Sequence, residues 1–152
     1  MGELPMPIMT CNELNAVWII KLKIEREQRR LRDLQILAEP SVPKLDGMPH
    51  AKPLTYKVER IAAMMVDCRQ SIDNLNKSLE QQKIDLLAKL QSLKLKELQQ
   101  RVLFYHYVAC MPFNAIAKIM GFTRNYIQKL HNKGLNFLGL TLNDMRQCKQ
   151  SH

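Results

Sequence analysis

Two long stretches of the chain repeat apolar residues at intervals of three and four, the spacing that lines one face of a helix. The first opens at Thr10-Cys11-Asn12-Glu13, where Thr and Glu have the spacing of a capping box, each satisfying a backbone donor of the other. It runs to about Ala38 through Val17, Ile20, Ile24, Leu31, Leu34 and Ala38, with one polar interruption at Glu27. Residues 1–9, with Pro5 and Pro7, read as a flexible leader. Pro40, Pro43, Gly47, Pro49 and Pro53 stop the helix, because each proline removes a backbone donor and biases its predecessor away from helical geometry; they predict a loop over 39–54. From Thr55, read as an N-cap, a second stripe of Val58, Ile61, Met65, Cys68, Ile72, Leu75, Leu79 and Leu86 carries a helix to about Leu90. Neither stripe is stable against water, so residues 10–91 predict a long antiparallel, coiled-coil-like hairpin. Pairing within one chain and pairing between two copies in a homodimer both satisfy this pattern.

After a basic junction at 92–96 the rhythm shortens to three helical segments, 95–110, 112–120 and 123–138, within a module spanning 92–140; residues 141–152 read as a tail. Pro112 suits the first turn of the middle helix, and Gly121 suits a left-handed turn after it. Ile116, Ala117 and Met120 before that glycine, with Phe122, Ile127 and Leu130 after it, have the spacing of a helix-turn-helix. Ala117 is small where two helices cross closely, and Ile116, Ile127 and Leu130 face a shared core. The predicted fold class is therefore all-α, a helical hairpin followed by a three-helix module.

Composition agrees with helix, since 46% of the 152 residues are hydrophobic, only 6% are aromatic, and glycine is scarce. Charge changes the picture more. Of a formal net charge of +9, most lies C-terminal, where residues 92–152 hold nine Lys/Arg against two Asp/Glu. A local excess of this kind attracts polyanions through counterion release. Thr123, Arg124, Asn125, Gln128, Lys129 and Asn132 are the outward positions of the 123–138 helix, whose segment 123–131 is read as the DNA-reading part, and no acid is among them. Arg grips guanine edges or phosphate, Asn and Gln pair with adenine, and a helix N-terminus offers donors to phosphate, so Arg124, Asn125 and Gln128 are the base-contact candidates. Lys129 and Lys133 suit phosphates, and Thr123 doubles as N-cap and phosphate contact. The expected partner is double-stranded DNA.

Other chemistries find no support in the sequence. His131 has no Cys or acid at metal spacing, so no zinc site or other cofactor is expected, and Tyr105, His106 and Tyr107 read as packing and rim residues. There is no Gly-rich phosphate loop, no paired carboxylates in an apolar setting and no nucleophile motif, so no enzyme is expected. Cys11, Cys68, Cys110 and Cys148 lie far apart without a C-x-x-C pair, as reduced structural thiols do. The apolar run 17–20 is interrupted by Lys21 and Lys23, leaving no secretory signal and no transmembrane stretch; the expected location is the cytoplasm of a bacterial cell or phage-infected host.

The segment Leu98-Gln-Gln-Arg-Val-Leu-Phe-Tyr-His-Tyr-Val108, followed by Phe113-Asn-Ala-Ile-Ala-Lys-Ile-Met-Gly121 and Tyr126-Ile-Gln-Lys-Leu-His131, resembles region 4 of sigma-70-type factors. The whole layout, including the loop Leu45-Asp-Gly-Met-Pro-His-Ala-Lys-Pro53, resembles phage and prophage transcriptional regulators of the ArpU/RinA type. That resemblance implies an activator of late lytic genes, with Arg124, Asn125, Gln128 and Lys129 in the major groove of a −35-like promoter element and contact with RNA polymerase. The sequence departs from the pattern at Cys110, Asn114, Ala115 and Lys118. Two further readings stand beside it: a small terminase-like subunit for phage DNA packaging, and a helical interaction protein whose basic face binds an acidic partner.

Overall fold

A computed structural model describes residues 9–39 and 53–150, and these are all-helical, with no strand among them. Residues 1–8 of the expected leader and most of the expected loop, 40–52, lie outside the described residues, while Met9, placed at the end of that leader, is buried. In chain order the helices are α1 (Cys11–Leu14), α2 (Ala16–Ala38), α3 (Pro53–Ser92), α4 (Glu97–Leu103), a π-helical turn (Phe104–Val108), α5 (Phe113–Met120), α6 (Arg124–Leu138) and α7 (Leu142–Gln150). They form two compact units, one of residues 21–78 and one in which residues up to 20 join residues 79–152.

The expected first helix is interrupted. Thr10 caps α1 by accepting the Glu13 amide at 3.1 Å, but the Glu13 carboxylate turns to Lys89 Nζ at 3.3 Å, so only one half of the capping box forms. Asn15, a weak helix former, separates α1 from α2. The second helix starts earlier than Thr55 predicts, because Pro53 opens α3, where its missing donor costs nothing.

In the 21–78 unit, α2 and α3 share a cluster of Leu34, Ile61 and Cys68, with Leu31, Ala38, Met64, Met65 and Ile72 packed on it. Glu27, the break in the stripe, has a partner: the Cys68 thiol donates to its carbonyl at 3.0 Å and lies 3.2 Å from its carboxylate. Burial, then the bond to Glu27, pushes the Cys68 thiol pKa above its usual value. Val58 does not continue the stripe as expected and stands 51% exposed.

The other unit holds the tighter core, where Val102, Ile116 and Ile127 are sealed from solvent beside Ala117 and Leu130. The segment expected as one helix over 95–110 widens midway into a π-turn, with the Ala109 amide bonding back to the Phe104 carbonyl at 3.1 Å. Cys110 follows with φ of 57°, a left-handed conformation rare outside glycine. Residues 142–150, expected within a tail, form α7 instead. Thr141 and Asp144 make a reciprocal capping box, Asp144 N–H donating to Thr141 Oγ1 at 3.2 Å and Thr141 N–H to Asp144 Oδ2 at 3.0 Å. Met145 and Cys148 bury the inner side of α7, and the Cys148 thiol donates to Asn12 Oδ1 at 3.0 Å. All four cysteines are free.

Candidate nucleic-acid interface

The helix carrying the candidate residues is held by its neighbours before any exposed side chain is considered. Pro112 is the N-cap of α5 rather than a first-turn residue, with ψ of 158°, and its carbonyl accepts the Ala115 and Ile116 amides at 3.1 Å. Gly121 then takes φ of 74°, as the sequence predicts, and its amide and that of Phe122 both close on the Ala117 carbonyl, at 2.9 and 3.0 Å. Thr123 restarts the chain as N-cap of α6 and accepts the Tyr126 amide at 3.3 Å. Ile127 and Leu130 pack with Ile116 and Ala117, which fixes the rotation of α6 about its own axis. Against α4 the approach is closer still, since a Cβ on Gly134 would lie 3.0 Å from Leu103 Cδ1.

With that face buried, Thr123, Arg124, Asn125, Lys129 and Lys133 are exposed, while Gln128 and Asn132 are half-buried. Helical spacing puts Asn125, Lys129 and Lys133 on one stripe and Arg124, Gln128 and Asn132 on the next. No acidic residue occurs between Glu97 and Asp144, so both stripes lie in a stretch whose formal charges are all positive. Asn132 is partly engaged inward, its Oδ1 lying 3.2 Å from His131 Nδ1.

His131 marks the border of the exposed face. It is 3% exposed, stacks with Tyr107 at 5.5 Å, and its Nε2 is hydrogen-bonded with the Tyr107 hydroxyl at 2.6 Å, while Nδ1 lies 3.2 Å from Asn132 Oδ1. Burial raises the Tyr107 pKa, so the phenol keeps its proton. Tyr107, expected as a packing or rim residue, packs in the core. His106 stacks on Phe113 at 4.5 Å and bonds the Met111 carbonyl at 2.9 Å, closing an aromatic cluster behind α6. The end of the reading segment at 131 thus belongs to the support, not to the surface.

Three side chains extend the candidate surface beyond the sequence reading. Phe122 has the spacing of a core residue but stands 39% exposed, in edge contact at 4.9 Å with Tyr126, which is 41% exposed. Tyr126 and Lys133 also line a cleft of about 240 Å³ with Lys96, Glu97, Leu98 and Gln99. The signal for Lys96 was its place in the basic junction; Tyr126 gave none, because aromatic residues at helical spacing usually pack inward.

Among the described residues no group of three or more His, Cys, Asp or Glu is placed to hold a metal ion, and no helix is long and apolar enough to cross a membrane. Comparisons with protein-family models, with curated proteins and with solved structures returned no match to the chain.

Proposed function

We propose that this chain is a sequence-specific, double-stranded-DNA-binding transcriptional regulator, of the phage or prophage late-gene activator type, acting at promoters in the cytoplasm of its host. The observation that carries the reading is the exposed, acid-free face of α6, set on a helix whose opposite side is locked into the Ile116–Ile127 core. In this reading α5, the Gly121 turn and α6 are a helix-turn-helix within a sigma-70 region 4-like module. Arg124, Asn125 and Gln128 meet base edges, Thr123, Lys129 and Lys133 meet phosphates, and Asn132 borders the groove. The stripes of α2 and α3 make the hairpin through which the protein pairs with a second copy, and RNA polymerase is its further contact. It is a binding protein without a cofactor, not an enzyme.

The test is selection of duplexes from a random library by the full chain, followed by salt-titrated binding of the selected site. Wild-type protein is expected to select one site. Arg124→Ala with Gln128→Ala should weaken binding by about 1–3 kcal/mol for each base-reading side chain truncated, ten-fold or more in total, while relaxing the sequence preference. Unchanged affinity and specificity in the double variant would overturn the assignment of α6 as the reading helix. A ring-shaped oligomer in solution, together with DNA binding, would favour the packaging subunit over the regulator.

A further inference from the structure

Phe122 and Tyr126 are, with Phe137, exposed aromatic residues of their unit, and they form a mutual contact beside the start of α6. Tyr107 is buried and Phe113 half-buried around His131 and His106, whereas Phe122 and Tyr126 lean on each other at 4.9 Å with ring planes 64° apart and leave about two-fifths of each residue open. They bracket the N-cap Thr123 and the exposed Arg124 and Asn125. Their own element carries Lys129 and Lys133, and Lys118 is the charged residue of α5; across the cleft beside Tyr126 stand Lys96 and Glu97, whose carboxylate pairs with Arg101 at 2.9 Å. A setting in which cations outnumber one paired acid suits a surface that approaches a polyanion.

Within the major groove the apolar group displayed by a base edge is the C5-methyl of thymine, and aromatic and other apolar side chains are its usual protein partners. Two ring surfaces at the leading end of a helix are well placed for such a methyl, because the first turn is the part of a recognition helix that goes deepest. We infer that Phe122 and Tyr126 together form an apolar contact to the C5-methyl of a thymine in the bound site, adding a methyl-reading element to the polar readout by Arg124, Asn125 and Gln128. This rests on the DNA-binding reading above. Phe122 acts as the buttress, since its contact restricts Tyr126, and the Tyr126 ring is the surface presented to the base.

The experiment uses the full chain and the duplex it selects from a random library. Each thymine is replaced in turn by deoxyuridine, which removes the methyl and leaves the hydrogen-bonding edge intact. Binding is expected to weaken about fourfold at one or two thymine positions, the effect of one methyl-sized apolar contact. Tyr126→Ala should weaken binding to the unmodified site and abolish the thymine-over-deoxyuridine preference there, while Tyr126→Phe retains it and Arg124→Ala leaves it intact. Circular dichroism and thermal unfolding establish that each variant folds, and the deoxyuridine series on wild-type protein needs no variant at all.

Equal affinity for deoxyuridine at every thymine of a selected site would overturn the inference while leaving sequence-specific binding standing. So would a methyl preference that survives both Tyr126→Ala and Phe122→Ala, because the methyl would then be read by other side chains. Failure to select any duplex would overturn the DNA-binding reading itself and this inference with it.

Discussion

The two units of this protein differ in how completely they enclose their apolar cores. Around α5 and α6, Ile116, Ile127, Val102 and Leu138 are sealed from solvent, while Ile119, Phe122, Tyr126 and Phe137 stand exposed beside cationic and amide side chains. Around α2 and α3, the cluster of Leu34, Ile61 and Cys68 is buried but not sealed, and Ile36, Leu37, Tyr56, Val58 and Val66 stand exposed on the same two helices. Several helices close on one core in the first unit. The other joins two helices along a narrow seam.

That contrast is open to breakage, and the largest effect should come from the first unit. Ile127→Ala removes a fully enclosed side chain and should cost about 2–5 kcal/mol in urea unfolding, whereas Val58→Ala and Val66→Ala should each stay within about 0.5 kcal/mol. Equal destabilisation at Ile127 and Val58 would mean that the seam unit is as tightly packed as the core, and the comparison would fail. Next comes Gly134→Val, which drives a branched side chain into Leu103 and should lower stability by about 1–3 kcal/mol; a variant melting at the wild-type temperature would show that α4 and α6 separate easily.

A smaller destabilisation, about 1–2 kcal/mol, is expected for Gly121→Ala, because a Cβ there meets no atom within 4 Å and only the positive φ is unfavourable. Thermal unfolding of Gly121→Ala beside Thr123→Ala, which removes a cap worth about 1 kcal/mol, separates turn strain from capping. The smallest effect belongs to the seam unit and is a pH effect. The Cys68 pKa is raised on folding above its usual 9.0, so the folded state holds this proton longer than the unfolded chain. Its contribution is full below pH 9.0 and is lost as pH rises from there through the folded value, and Cys68→Ala should flatten that alkaline decline in denaturation curves. A decline as steep in the variant would place its origin elsewhere.

Much of the candidate surface was legible because local rules set it. Gly121 needs only its own φ, Thr123 only the amide three residues on, and the burial of Ile116, Ile127 and Leu130 follows from helical spacing. Thr141 and Asp144 obey the same capping rule, yet 141–152 read as a tail because no long apolar stripe follows them. What stayed hidden depended on partners distant in the chain. The spacing of Phe122 is that of a core residue, and its exposure follows from where α5 and α6 pack; Glu27 has the look of a flaw in a stripe, and only the fold brings Cys68, forty-one residues away, into a bond with it.

By itself the sequence determined the helices, the left-handed turn, the cap that starts α6 and the positive charge around it, since each is a property of a few neighbouring residues or of composition. Only the tertiary structure decided where that surface ends. The contacts of Tyr107 and of the His106 ring, some twenty-five positions earlier, hold His131 inside, so the exposed face that starts at Thr123 passes through Lys129 and Lys133 and not through His131. Helical periodicity marks which residues share a face, and packing sets the borders of that face.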